Sequence, residues 1–127
     1  LSCEGKLNEK NESLNIGDLG AGTGVTSIAA AKIFQNSCVI CTDGCDEVVE
    51  LARENVENVA KEETNDTNRD TDIDPETHNI GDSIVRVCKY WWGDGAMLRE
   101  LRKCKGSQSH ASFDIILVSD CVLPKLY

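Results

Sequence analysis

The stretch Asn15-Ile16-Gly17-Asp18-Leu19-Gly20-Ala21-Gly22-Thr23-Gly24 constrains this chain more than any other. It reads as a buried strand running into a glycine-rich turn, and the turn opens a helix whose buried face is predicted to be Val25, Ile28, Ala29 and Ile33. Gly20 permits a turn that a Cβ would strain, Gly22 lets backbone approach a ligand, and Gly24 lets the helix lie close on the sheet. Free N–H groups at the helix start, with the positive end of its dipole, favour a polar or anionic ligand group.

The rest of the chain repeats strand and helix. Strands are predicted at about 14–19, 37–42, 83–91 and 113–119, the last a continuous apolar run suited to a central parallel strand buried on both faces. Helices are predicted after the glycine turn to about residue 34, from Asp46 to about residue 61, and briefly around Met97, Leu98 and Leu101. Val49, Ala52, Val56, Val59 and Ala60 recur at helical spacing and make the second helix's buried face. This order predicts an α/β fold with a doubly wound, Rossmann-like parallel sheet. One domain spans residues 13–127 after a polar, poorly ordered lead-in at 1–12. The chain begins without methionine and ends just after its last apolar strand, which reads as a piece of a longer protein, truncated after the fourth strand.

The net charge of −9 is uneven, with −6 of it between Lys61 and Asp82. That acidic stretch has almost no apolar residue, and about 62–82 is predicted to be a disordered insertion. Its Asp70-x-Asp72-x-Asp74 spacing does not make a calcium loop, because Pro75 and Gly81 stand where glycine and glutamate are required. An acidic chain repels nucleic-acid phosphates and suits a basic partner surface. Seven cysteines without a signal peptide or a spanning apolar run read as reduced thiols in a cytosolic or nuclear protein. Cys38 and Cys41 fall on opposite faces of a strand and no second pair exists, so no metal site is expected.

The candidate ligand-binding residues fall at strand ends, where α/β sheets bind ligands. Asp43, 23 residues after Gly20, can accept hydrogen bonds from both hydroxyls of a ribose, or can simply form the turn before Gly44. Asp94 can meet an adenine amino group, with the Trp92 ring beside the base. Tyr90, Trp91 and Trp92 also read as core aromatics, at least one of them inside. Asp18 either lies near the cofactor's amino group or braces the glycine turn. Asp120, after the fourth strand, is the candidate catalytic carboxylate, able to hold an amine and help it lose a proton. The dinucleotide pattern G-x-G-x-x-G fails, since its sixth position counted from Gly20 is Val25.

Asp18-Leu19-Gly20-Ala21-Gly22-Thr23-Gly24 resembles motif I of the class I S-adenosylmethionine (SAM) methyltransferases. Together with Thr42-Asp43-Gly44, Trp92-Gly93-Asp94 and Ser119-Asp120-Cys121-Val122, it is similar to the seven-β-strand protein-lysine methyltransferases, the methyltransferase-like group called family sixteen. The resemblance implies a SAM-dependent enzyme of the cytosol or nucleus that methylates lysine on a non-histone protein, such as a chaperone, an ATPase or an elongation factor. It implies no membrane association. By position, Gly20, Gly22 and Gly24 would cradle the cofactor's methionine portion. Asp43 would hold the ribose, Trp92 would contact the cofactor, and Asp120 would be the acid of the family's Asp-x-x-Tyr motif. Leu123 departs from that motif's tyrosine, which leaves a small-molecule or nucleic-acid methyltransferase, or an inactive interaction module, as alternative readings.

Overall fold

Short apolar runs of β-branched residues set up the sheet, and glycine or polar turns separate them from the helices. A computed structural model of the chain describes residues 13–64, 74–101 and 112–119. In order these form β1 (Asn15–Leu19), α1 (Val25–Ile33), β2 (Cys38–Asp43), α2 (Asp46–Thr64), β3 (Thr77–Ile80), β4 (Ser83–Lys89), α3 (Gly95–Leu101) and β5 (Ile115–Val118). The sheet order is β3-β4-β2-β1-β5. β4, β2, β1 and β5 run parallel, and β3 pairs antiparallel with β4. One face of the sheet packs Ile16, Val39, Cys41, Val85 and Val87 against α1 and α2, and the other packs Ile40, Cys88 and Tyr90 against Leu101 of α3. The α/β, doubly wound architecture is therefore the one expected. Cys41 and Cys38 do fall on opposite faces, in separate clusters.

Several expectations need correction. The buried face of α1 is Ser27, Ala30 and Ala31; of the four residues expected there Ile28 alone packs, partly buried, against the core, whereas Ala29 is exposed and Val25 is 64% and Ile33 71% exposed. Small side chains face the sheet because Gly24, at the helix start, brings α1 close to α2. A Cβ there would meet the Ala52 Cβ at 3.4 Å. The strand expected to run to residue 91 ends at Lys89, and Trp91 and Trp92 are both exposed.

The acidic stretch is not wholly an insertion. Residues 62–64 extend α2, and Thr77–Ile80 forms β3, closing a hairpin onto β4 with Ile80 opposite Ser83. His78 and Ile80 point inward from this strand, an alternation that the local density of carboxylates hid from a charge-based reading. Glu63 explains why the helix continues: it pairs with Lys32 Nζ at 3.1 Å and accepts from the Gly81 amide at 2.7 Å. Residues 65–73, like the lead-in at 1–12, lie outside the described residues.

β5 also departs from expectation. Among the described residues it pairs with β1 alone, and Ile116 and Val118 are exposed on one of its faces. Ile115 and Leu117 pack against the core on the other.

The hairpin turn gives a direct test of this architecture. Gly81 has φ +55° with no atom within 4 Å of a would-be Cβ, so a substitution there meets backbone strain and no clash. Gly81→Val should lower the unfolding free energy by about 1–2 kcal/mol, while Gly81→Asn stays within a few tenths, because asparagine visits the left-handed region readily. Urea melts of the two variants distinguish these outcomes.

Candidate functional site

In a parallel sheet every strand carries its carboxyl end to the same edge, and the order reverses between β1 and β5, where the chain turns from one side of β1 to the other. The glycine turn leaves β1 at that reversal. From Ala21 to Gly24 each residue is held by a hydrogen bond. The Ala21 amide donates to the Thr42 carbonyl at 2.8 Å, and the Gly22 amide to Asp43 Oδ2 at 3.2 Å. Asn55 Nδ2, on α2, donates to the Thr23 carbonyl at 2.9 Å, and the Gly24 amide to the Ala21 carbonyl at 3.0 Å. Gly22 has φ +58° and nothing within 4 Å of a would-be Cβ, so its backbone stands open on the ligand side.

A cleft of about 810 Å³ opens along this edge. Gly20, Gly22, Asp43 and Trp92, all singled out from sequence, lie in its wall together. Gly24 stands behind the turn, against α2. Asp43 is half-buried, and its second oxygen accepts from the Cys45 amide at 3.1 Å. Each carboxylate oxygen thus uses one lone pair on backbone and keeps another for a ligand hydroxyl.

Of its two expected roles, Asp18 has the geometry of a brace. Its side chain is 0% exposed, and Oδ2 accepts from Ser27 Oγ at 2.7 Å, clipping α1 to β1 beneath the turn. Thr42 Oγ1 donates to the Asp18 carbonyl at 2.8 Å. Burial pushes the Asp18 carboxyl above its ordinary value. The Ser27 hydrogen bond opposes that rise, and the Asp43 charge adds to it. Burial likewise pushes the neighbouring Cys41 thiol up to about 11.

Asp94 caps α3, its Oδ1 accepting from the Ala96 and Met97 amides at 3.0 Å each, and it lies outside the cleft wall. Asp120 lies outside the described residues.

The sequence reading passed over three residues at this edge. Trp91 lies in the cleft wall beside Gly44, where a Cβ would meet its ring at 3.6 Å. Lys89 Nζ stands 5.9 Å from the centre of the Trp91 ring and 2.8 Å from Asp46 Oδ1, joining the end of β4 to the start of α2. Asn55 is the third. Two signals could have found Trp91 and Asn55: Tyr90, Trp91 and Trp92 cannot all face one core in an alternating strand, and Asn55 lies three residues from buried Ala52 on the inner side of α2. Among the described residues no cluster of His, Cys, Asp or Glu could hold a metal ion, and no helix is long and apolar enough to cross a membrane.

A family model described as lysine methyltransferase matches residues 2–125. No curated protein and no solved structure matches the chain.

The buried Asp18 makes a pH-dependent prediction. A carboxyl whose folded pKa lies above its unfolded value contributes stability that is fully present below the unfolded pKa and lost as pH rises through the folded one. Asp18→Asn keeps an oxygen to accept from Ser27 and removes the charge. The variant's unfolding free energy relative to wild type should therefore improve as pH rises from about 4 until the folded carboxyl has ionised, and level off above that, where an unshifted carboxyl would give a flat difference throughout. Paired denaturant titrations across that range measure it.

Proposed function

The chain belongs to the lysine methyltransferase family, and from that premise we propose that it transfers a methyl group from S-adenosylmethionine to a lysine amine of a non-histone protein. The observation that carries the reading is the meeting of the open Gly20–Gly22 backbone, Asp43 and Trp92 in one cleft. That set suits a nucleoside-containing cofactor. Asp43 has lone pairs left for two ribose hydroxyls, Trp92 offers an exposed ring face to a base, and the turn lets a polar chain approach main-chain amides. When bound, the cofactor supplies a methyl group on a sulfonium, so the protein's task is orientation and charge, not bond activation.

Asp120 is proposed to hold the target amine and to help it lose its proton. The exposed carboxylates of α2 and the net charge of −9 favour a lysine-bearing, basic protein surface over nucleic acid. A chaperone, an ATPase or an elongation factor fits that description. The buried free thiol of Cys41 fits a reducing compartment, cytoplasmic or nuclear, without membrane association. Leu123 stands where the resembling enzymes carry tyrosine, so the amine must be held differently here.

Two measurements test the proposal. Asp43→Ala should lose about 1.5–3 kcal/mol of SAM binding by calorimetry, the range for hydrogen bonds to a charged group. Circular dichroism should show the fold retained. Unchanged affinity would remove Asp43 from the cofactor site. Asp120→Asn should leave SAM affinity within a few-fold and slow methyl transfer by about 10²–10⁴. The assay is tritium transfer from labelled SAM into a cell extract, read on protein, RNA and small-molecule fractions. Label in protein lysines, lost in the variant, supports the proposal; label confined to RNA or small molecules overturns the substrate.

A further inference from the structure

The glycine turn is held from three directions, and only one of the ties is a side chain reaching in from a helix. Ala21 and Gly22 are fixed by β2, through the Thr42 carbonyl and the Asp43 carboxylate. The Thr23–Gly24 peptide is fixed at both ends, its carbonyl by Asn55 Nδ2 at 2.9 Å and its amide by the Ala21 carbonyl at 3.0 Å. Behind it, Gly24 abuts Ala52, one helical turn before Asn55, so α2 presses on the turn at two adjacent points.

We infer that Asn55 is a positioning residue for the cofactor: it never touches the ligand but fixes the plane of the Thr23–Gly24 peptide, and so the direction of the amides that open α1. This rests on the proposed SAM-binding role of the cleft. The physical argument is one of rotation. The Thr23–Gly24 peptide has a glycine on one side, Gly24 at φ +81°, and Gly22 at φ +58° stands one residue before Thr23, so glycine supplies little steric restraint to the turn around it. Without the Asn55 tie that peptide is held only at its amide, by the Ala21 carbonyl, and its carbonyl can rock about the flanking bonds. The Asn55 amide removes that freedom before ligand arrives, which lowers the ordering that binding requires.

Asparagine is a poor choice for a helix interior on propensity alone, and alanine is better by several tenths of a kcal/mol. That separates positioning from mere structure. Asn55→Ala removes the tie and improves the helix, so affinity and stability should move in opposite directions. Asn58→Ala, at an exposed position on the same helix, makes the same propensity change and no contact with the turn.

The experiment uses the whole chain and S-adenosylhomocysteine as the probe, with calorimetry, thermal melts and amide hydrogen exchange by NMR. Asn55→Ala should bind about 3–10-fold more weakly, the loss of one net hydrogen bond. Its melting temperature should equal or exceed wild type, and its Gly24 amide should exchange faster. Asn55→Gln, which keeps the donor, should recover part of the affinity. Asn58→Ala should match wild type in both affinity and Gly24 exchange. Unchanged affinity in Asn55→Ala, or affinity and melting temperature falling together, overturns the positioning role. If wild type itself fails to bind, the cofactor reading is overturned, and the exchange rate decides the rest: a faster Gly24 amide in Asn55→Ala upholds the tether, an unchanged one removes it.

Discussion

The hydrogen bond from the Ala21 amide to the Thr42 carbonyl carries the β1–β2 ladder one step beyond the strand, into the turn. Everything at the candidate site depends on that step. A parallel pair has evenly spaced rungs, so the register that sets Leu19 opposite Thr42 also sets the turn beside Asp43. Slip the register by one residue and Asp43 would point to the other face of the sheet. The register is held by burial: Ile16 and Val39 face one core, and both are completely enclosed. The site is thus a consequence of core packing four residues back along each strand, not of the loop's own preferences.

Beneath the turn the interior is polar in one place, and this shapes α1. Asp18 is enclosed, so its carboxylate needs a donor, and Ser27 supplies one from the first turn of the helix. A serine on the inner face brings that face close to the strand, and Ala30 and Ala31 continue it with side chains small enough to allow the same approach. Val25 and Ile33 are left outside. The face of α1 was not legible in the sequence for this reason. Apolar periodicity assigns the largest side chains to the interior, but here the interior side is chosen by a buried carboxylate and by the short distance to α2.

Elsewhere, what was legible followed from patterns that stand clear of their surroundings. β2 and β4 are apolar runs between polar turns, and α2 has Val49, Ala52, Val56 and Ala60 on one stripe, all buried as expected. The wall residues Gly20, Gly22, Asp43 and Trp92 could be found because strand ends in a parallel sheet converge. β3 could not be, since four residues with two inward side chains carry too little signal beside so many carboxylates. Nor could the exposed face of β5, because an apolar run reads as buried whether or not a neighbour covers it. Lys89 lies beyond the reach of sequence for another reason: its partner at the site is Asp46, 43 residues away.

Charge gives the cleft a preference that shape does not. Asp43, Asp46 and Glu47 all line it, and Lys89 is the one cation in its wall among the described residues. Lys89 is already committed to Asp46 at 2.8 Å, so its charge is largely spent within the protein. Asp18 lies close enough that Asp43 raises its pKa, which adds a further carboxyl behind the wall. Asp46 and Glu47 also sit in the first turn of α2, where they complement the positive end of the helix dipole and cancel the attraction it would offer an anion. A dinucleotide would bring its pyrophosphate to this edge against three carboxylates. A nucleoside carrying a sulfonium brings positive charge instead, and two unit charges a few ångströms apart near a protein surface interact by a few kcal/mol at most, reduced by salt. That interaction opposes a pyrophosphate at this edge and favours the sulfonium of the proposed cofactor. The same field that favours a cationic cofactor also favours approach of a lysine-bearing surface, so one distribution of charge serves both halves of the proposed reaction.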